Sequence, residues 1–164
     1  SLEEVVVRKL QEKHLKVSFA ESCTGGYVAK RLTDIPGSSE VFECGVVTYA
    51  NRIKHQLIGV KNETLAEYGA VSSQTAEQMS KGVRELSGAD IGVGITGIAG
   101  PGGGTPKKPV GLVYISVCDS EHCYTKRFIL GHGSSEGERE HIRYLAASNA
   151  LDMVRRLIDG LPIE

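Results

Sequence analysis

The chain has no tryptophan and only three phenylalanines, so its core must be built from Val, Ile, Leu and Ala. It lacks any apolar run of membrane-spanning length and any signal-peptide pattern, which leaves a cytoplasmic chain as the expectation. It also lacks an excess of charge. The formal net charge is −1, with no concentrated basic face for non-specific nucleic acid. The pairs Lys107-Lys108 and Arg155-Arg156 read as solvated surface. The four cysteines, Cys23, Cys44, Cys118 and Cys123, form no C-x-x-C and read as free thiols. The five histidines form no H-E-x-x-H and no zinc-spaced cluster with cysteine, so no metal site is expected. No Walker A motif occurs. The chain begins at Ser1 without Met, as a processed chain or a piece of a longer one would.

What is abundant is glycine, at 20 of 164 residues, in a chain with 40% apolar and 24% charged residues. That balance and length predict one globular domain over 1–164. Apolar spacing predicts a helix over Leu2–Lys16 and a strand over Lys16–Ala20. A turn at Glu21–Gly26 leads into a helix over Tyr27–Leu32, broken by Pro36 and Gly37. Val41–Tyr49 reads as a strand, and Asn51 as the cap of a short helix over Ile53–Leu57. Thr64–Glu67 fits a capping box whose helix ends at Gly69. Ser72 or Ser73 opens a longer helix to Leu86, closed by Gly88. Ala89–Thr96 is a third strand, followed by a Gly/Pro-rich loop to Pro109. Val110–Val117 and His122–Leu130 form a hairpin, and Glu138–Ile158 a long last helix. Strands alternating with helices, then a hairpin, predict an α/β fold, a three-layer α/β/α sandwich with a mixed central sheet.

Four segments carry possible chemistry. Glu21-Ser22-Cys23-Thr24-Gly25-Gly26 lies between a strand end and a helix start, where unpaired amides could serve a nucleophile at Ser22 as an oxyanion hole. The same residues would also suit a simple N-cap with glycines for tight packing. Cys23 is a rival nucleophile, although a cysteine without a histidine at motif spacing is usually buried and inert. Serine needs a base, and a buried neutral lysine can serve; Lys54 follows a strand end, with Tyr49 near enough to orient it or relay a proton. A surface lysine beside a half-buried tyrosine is the plainer alternative. Gly92–Gly97 spells G-x-G-x-x-G, yet its glycines lie in a strand and precede a Pro-rich loop, which rejects a dinucleotide fold. Thr96, at that strand end, could hydrogen-bond a ligand. Arg139 and Arg143, one turn apart on the last helix, could grip a phosphate or simply pair with neighbouring glutamates.

Together these segments resemble the CinA C-terminal domain family, the nicotinamide-nucleotide amidases. The resemblance rests on Glu-Ser-Cys-Thr-Gly-Gly at 21–26, Pro-Gly-Ser-Ser at 36–39 and Thr-Tyr-x4-Lys at 48–54. Gly-Ala-Val-Ser at 69–72, Thr-Gly-Ile-Ala-Gly-Pro-x-Gly-Gly at 96–104 and Lys-Pro-Val-Gly at 108–111 extend it over nearly the whole chain. It implies hydrolysis of the carboxamide of nicotinamide mononucleotide to nicotinic acid mononucleotide and ammonia, in pyridine-nucleotide recycling. It also implies a homodimer or larger homo-oligomer, no metal and no cofactor. By motif, Ser22 is the expected nucleophile, Lys54 its base and Tyr49 its partner. Thr96 is expected to bind the intermediate or the substrate amide. Thr24, Gly25, Gly26, Ser39, Gly97 and Gly100 would line the substrate site, and Arg139 would hold the 5′-phosphate. Two departures stand out: Gly-Glu-Arg at 137–139 where the family often has Gly-Asp-Arg, and Cys44 where glycine is common. The contrasting expectations are a non-catalytic interaction module, of the kind fused to a second domain in larger family members, and an amidase for another small amide.

Overall fold

The structure is a computed structural model and describes residues 1–131 and 138–164. Gly137 and His132 lie outside the described residues. Among those described, six α-helices and a short 3-10 turn surround a five-stranded sheet. The strands are β1 (Val17–Glu21), β2 (Phe42–Val47), β3 (Ile91–Gly97), β4 (Leu112–Cys118) and β5 (Cys123–Ile129). Their order is β2-β1-β3-β4-β5. β1 runs parallel to both β2 and β3, while β3, β4 and β5 are antiparallel in turn. The sheet is therefore mixed, as the sequence predicts.

Position in the sheet explains the residue pattern of each strand. β1 is flanked on both edges and covered on both faces, so all five of its residues are buried. β2 and β5 are the edges; β2 alternates between half-buried and exposed residues, and β5 does so except at Thr125-Lys126. Lys126 and Arg127 on β5 blunt that edge against further pairing.

One face is covered by α1 (Leu2–Lys13), α2 (Tyr27–Thr33) and α6 (Glu138–Asp159). The other carries α3 (Asn51–Ile58), α4 (Asn62–Tyr68) and α5 (Ser73–Ser87). The first layer buries Val6, Leu10, Leu32, Ile142 and Leu151 against the sheet, each contributing ~1.5–3 kcal/mol. Arg31 of α2 ties that layer together, reaching Glu3 of α1 and the Tyr144 carbonyl and Ser148 hydroxyl of α6. On the second face, glycine sets the spacing. A Cβ on Gly94 would lie 2.5 Å from the Ala76 carbonyl and 2.7 Å from Met79 Cβ, and one on Gly92 would meet the Ser80 carbonyl. The glycines inside β3 are thus a seat for α5, not a nucleotide fingerprint.

Several boundaries differ from expectation. α1 stops at Lys13, because His14 takes a left-handed conformation and the Leu15 amide turns back to the Leu10 carbonyl. Asn51 is the first residue of α3; Ala50 is its N-cap, without a side-chain bond. The helix before Gly69 starts at Asn62, so Thr64 lies within it and accepts from Gln78 instead of capping. Ser72 caps α5 through the Thr75 amide, and Gly88 closes that helix.

Candidate active site

The carboxyl ends of the parallel strands β1, β2 and β3 gather at one end of the sheet, with Ser22 after β1, Tyr49 after β2 and Thr96 near the end of β3. In open α/β sheets, ligands bind outside these carboxyl ends. A cleft of about 230 Å³ opens there. Ser22, Lys54, Tyr49, Thr96, Gly97, Gly100 and Arg139 all line it.

Lys54 is the centre of this cleft. It lies one turn into α3 and is 1% exposed. Its Nζ donates to the Tyr49 carbonyl at 2.9 Å and sits 3.3 Å from Ser22 Oγ. Burial pushes the Lys54 pKa down, because an ammonium loses its hydration there, and only a weaker interaction with Cys23 acts in the other direction. A neutral amine in this position keeps one N–H on the Tyr49 carbonyl and can turn its lone pair to the serine hydroxyl.

Tyr49 holds Lys54 through its main chain. Its side chain is 62% exposed and stands at the mouth of the cleft. Thr96 is buried, and its hydroxyl donates to the Ala70 carbonyl at 2.8 Å. That bond commits its proton, so toward a ligand in the cleft the oxygen is an acceptor.

The turn carrying Ser22 is held from three sides. The Ser22 amide donates to Ile95 of β3, and the Gly25 amide returns to the Ser22 carbonyl. Arg143 of α6 grips the Cys23 and Thr24 carbonyls at 3.0 Å each. Glu21, which is 1% exposed, sends both carboxylate oxygens to the first amides of α2, at 3.0 Å to Val28 and 3.1 Å to Ala29. The start of α2 is therefore occupied by the protein's own anion and is not open to a ligand. The amides of Cys23 and Thr24 take no protein acceptor among the described residues.

Cys23 lines the cleft but is a poor rival to Ser22. Burial, reinforced by the neighbouring Glu21 charge, pushes its thiol up to about 12. It stays protonated at neutral pH.

Not every expected residue joins the cleft. Thr24 is fully buried, and its hydroxyl has no partner among the described residues. Gly25 and Gly26 face a separate surface depression shared with Tyr27, Lys30 and Arg143. Ser39 is exposed on the 3-10 turn Ser38–Glu40, which precedes β2. It lies at the other end of the strands, roughly 15 Å away by strand length. Arg139 does line the cleft, and one guanidinium nitrogen donates to the Gly100 carbonyl at 2.6 Å. Of the two arginines, Arg139 faces the cleft and Arg143 braces the turn.

Sequence reasoning did not name Asn51, Ala70, Val71, Ile98, Ala99 and Gly102 as site residues, and these complete the wall. It also overlooked Glu21, whose adjacency to Ser22 was the available signal. No acidic residue lines the cleft among those described, so the Arg139 guanidinium leaves it biased toward an anionic ligand. No group of three or more His, Cys, Asp or Glu among the described residues could hold a metal ion. No described helix is long and apolar enough to cross a membrane.

Comparison with known proteins gives one consistent result. A CinA-like protein of Desulfovibrio desulfuricans is 55% identical over 163 residues, covering 99% of this chain and 38% of that protein. A CinA-like protein of Kosmotoga olearia is 49% identical, covering 96% of this chain and 37% of its own length. The chain thus spans under two-fifths of the curated relatives it matches. Among solved structures, the competence/damage inducible protein CihA of Agrobacterium tumefaciens superposes with a TM-score of 0.89 at 42% identity, covering 95% of this chain and 94% of that one. A CinA superfamily protein of Klebsiella pneumoniae superposes with a TM-score of 0.90 at 31% identity, over 97% and 96% of the two chains. The CinA C-terminal domain profile matches residues 1–158, and the chain belongs to that family.

Proposed function

We propose that the cleft is the active site of a metal-independent serine amidohydrolase that removes the carboxamide nitrogen of nicotinamide mononucleotide as ammonia. The observation that carries this reading is the buried Lys54 amine 3.3 Å from Ser22 Oγ, in a cleft lined by no acidic residue among those described. A lysine kept out of water is suited to be neutral, and a neutral amine can take the serine proton.

The steps follow from the placement of the groups. Ser22 Oγ attacks the carboxamide carbon while its proton passes to Lys54 Nζ. The oxyanion that forms is met by the uncommitted amide of Cys23, which lines the cleft. The Thr96 oxygen, committed as a donor to Ala70, accepts from the carboxamide NH2 and orients it. Lys54 then hands its proton to the leaving nitrogen, ammonia departs, and an ester to Ser22 remains. Water attacks that ester with Lys54 again as base, which releases the carboxylate and restores the serine. Ala70, Val71 and Ile98 offer an apolar wall for a planar ring, and the exposed Tyr49 ring frames the entrance. The free edge of the Arg139 guanidinium receives the phosphate at the mouth.

Ammonia release from nicotinamide mononucleotide, compared with the riboside that lacks phosphate, tests the substrate. The account expects a sharp loss of kcat/KM on deleting the phosphate. Equal rates on both would point to an amidase for another small amide. No release from either would favour an interaction module.

A further inference from the structure

A larger cavity of about 450 Å³ lies at the end of the sheet away from the cleft. It is lined by Lys81 and Arg84 of α5 and by the tip of the β4–β5 hairpin, including Cys118 and Cys123. Gly92, at the start of β3, pairs with Cys118, whereas the cleft opens beyond Gly97 at the end of that strand.

Cys118 and Cys123 stand directly opposite each other across the hairpin. The Asp119 amide donates to the His122 carbonyl at 2.9 Å, which makes Asp119 and His122 a hydrogen-bonded pair. Antiparallel pairs alternate, so Cys118 and Cys123 form a non-hydrogen-bonded pair, in which Cα atoms lie ~4.5 Å apart and side chains lean together. That spacing falls within the Cα separation of about 4.4–6.8 Å that a disulfide accepts. The same face of the hairpin supplies an internal ruler. Ser116 and Thr125 are the next pair of the same kind, and their hydroxyl oxygens meet at 2.9 Å. Both sulfurs also converge on one patch. Cys118 Sγ lies 3.4 Å from Ser80 Oγ, and Cys123 Sγ lies 3.5 Å from Ser116 Oγ.

The two thiols are not equivalent. Cys118 is 2% exposed, whereas Cys123 is half-buried and reachable from the cavity. The Cys118 side chain beside it, with the Ser116 and Ser80 hydroxyls and against the effect of burial, holds the Cys123 pKa down to about 6. The facing Cys123 sulfur and burial hold the Cys118 thiol well above the ordinary range. An accessible thiolate beside a buried thiol is the arrangement of an attacking and a resolving cysteine.

We infer that Cys118 and Cys123 form a thiol–disulfide exchange site that low-molecular-weight disulfides convert to a cross-strand disulfide. The Cys123 thiolate attacks one sulfur of the small disulfide, forming a mixed disulfide and expelling one small thiolate. The Cys118 thiol then loses its proton to solvent and attacks the Cys123 sulfur. A Cys118–Cys123 bond forms, and the second small thiolate leaves. Two protein thiols are oxidised and one small disulfide is reduced to two thiols. A small reducing thiol runs both steps backward. The site does not depend on the chemistry at Ser22.

The experiment equilibrates the purified chain with oxidised glutathione, blocks remaining thiols by alkylation, and reads intact mass. The native chain is expected to lose two hydrogens and two alkylatable thiols. Cleavage at Asp119 or Glu121 should then leave two fragments joined until reductant is added. Cys118→Ser should stop at a glutathione adduct on Cys123, and the pH midpoint for alkylating Cys123 should move up in this variant. Cys123→Ser should leave Cys118 reduced. The inference is overturned if both thiols of the native chain remain alkylatable, or if Cys118→Ser acquires no adduct on Cys123.

Discussion

Replacing Lys54 with methionine separates chemistry from stability. Methionine keeps an unbranched stem in a site that is 1% exposed and removes only the amine. The loss to folding is the bond to the Tyr49 carbonyl, ~1 kcal/mol. The gain is relief from burying a group that would be charged in water. The two offset, and for a chain of this size a net change within ~1 kcal/mol moves Tm by no more than about 4 °C. The effect on catalysis is far larger. Loss of a general base lowers the rate about 10²–10⁴-fold, a barrier increase of roughly 3–5 kcal/mol. The pH dependence adds a second signature. Burial lowers the Lys54 pKa in the folded chain, so between that value and the unfolded one the unfolded chain binds the extra proton. Stability of the native chain therefore rises with pH through that window. The advantage of the methionine variant is greatest below the window and vanishes above it. Activity of the native chain should likewise rise with pH and level off once Lys54 is neutral. Thermal unfolding and ammonia release across pH check both. A Lys54→Met chain that retains the native rate, or that unfolds many degrees lower at every pH, would refute the reasoning.

Two further perturbations probe the frame around the nucleophile. Glu21→Gln puts an NH2 group against one of the amides of Val28 and Ala29 that the carboxylate now serves, and should cost ~1–3 kcal/mol in thermal unfolding. Gly94→Ala forces a methyl against the Ala76 carbonyl and Met79, and should cost ~1–3 kcal/mol or more in urea. Gly102→Ala, with no heavy atom within 4 Å of the added carbon, is its control and should change stability by less than ~0.5 kcal/mol.

Local signals made much of the fold legible. Ser72 and Gly88 bracket α5 because capping and helix closure depend on single residues and their own backbone. The hairpin at Cys118–Glu121 follows from two strand-forming runs and a short polar link. What stayed hidden depends on partners distant in sequence. Nothing local says that α5 will press on Gly92 and Gly94, or that Gln78 will claim Thr64. Glu21 reads as part of a motif, yet its carboxylate serves amides seven and eight residues later. Arg143 competes with Arg139 on the sequence, and only the packing of α6 turns one to the turn carbonyls and the other to the cleft. The Ser22–Lys54 approach needs α3 to fold back over the end of β1, a tertiary fact that spacing alone does not contain.

The most direct test of the central claim measures ammonia release from nicotinamide mononucleotide by the native chain, Ser22→Ala and Cys23→Ala side by side. The account predicts release by the native chain, release by Cys23→Ala of the same order, and none above background by Ser22→Ala. Native-like release from Ser22→Ala, or loss confined to Cys23→Ala, would contradict it.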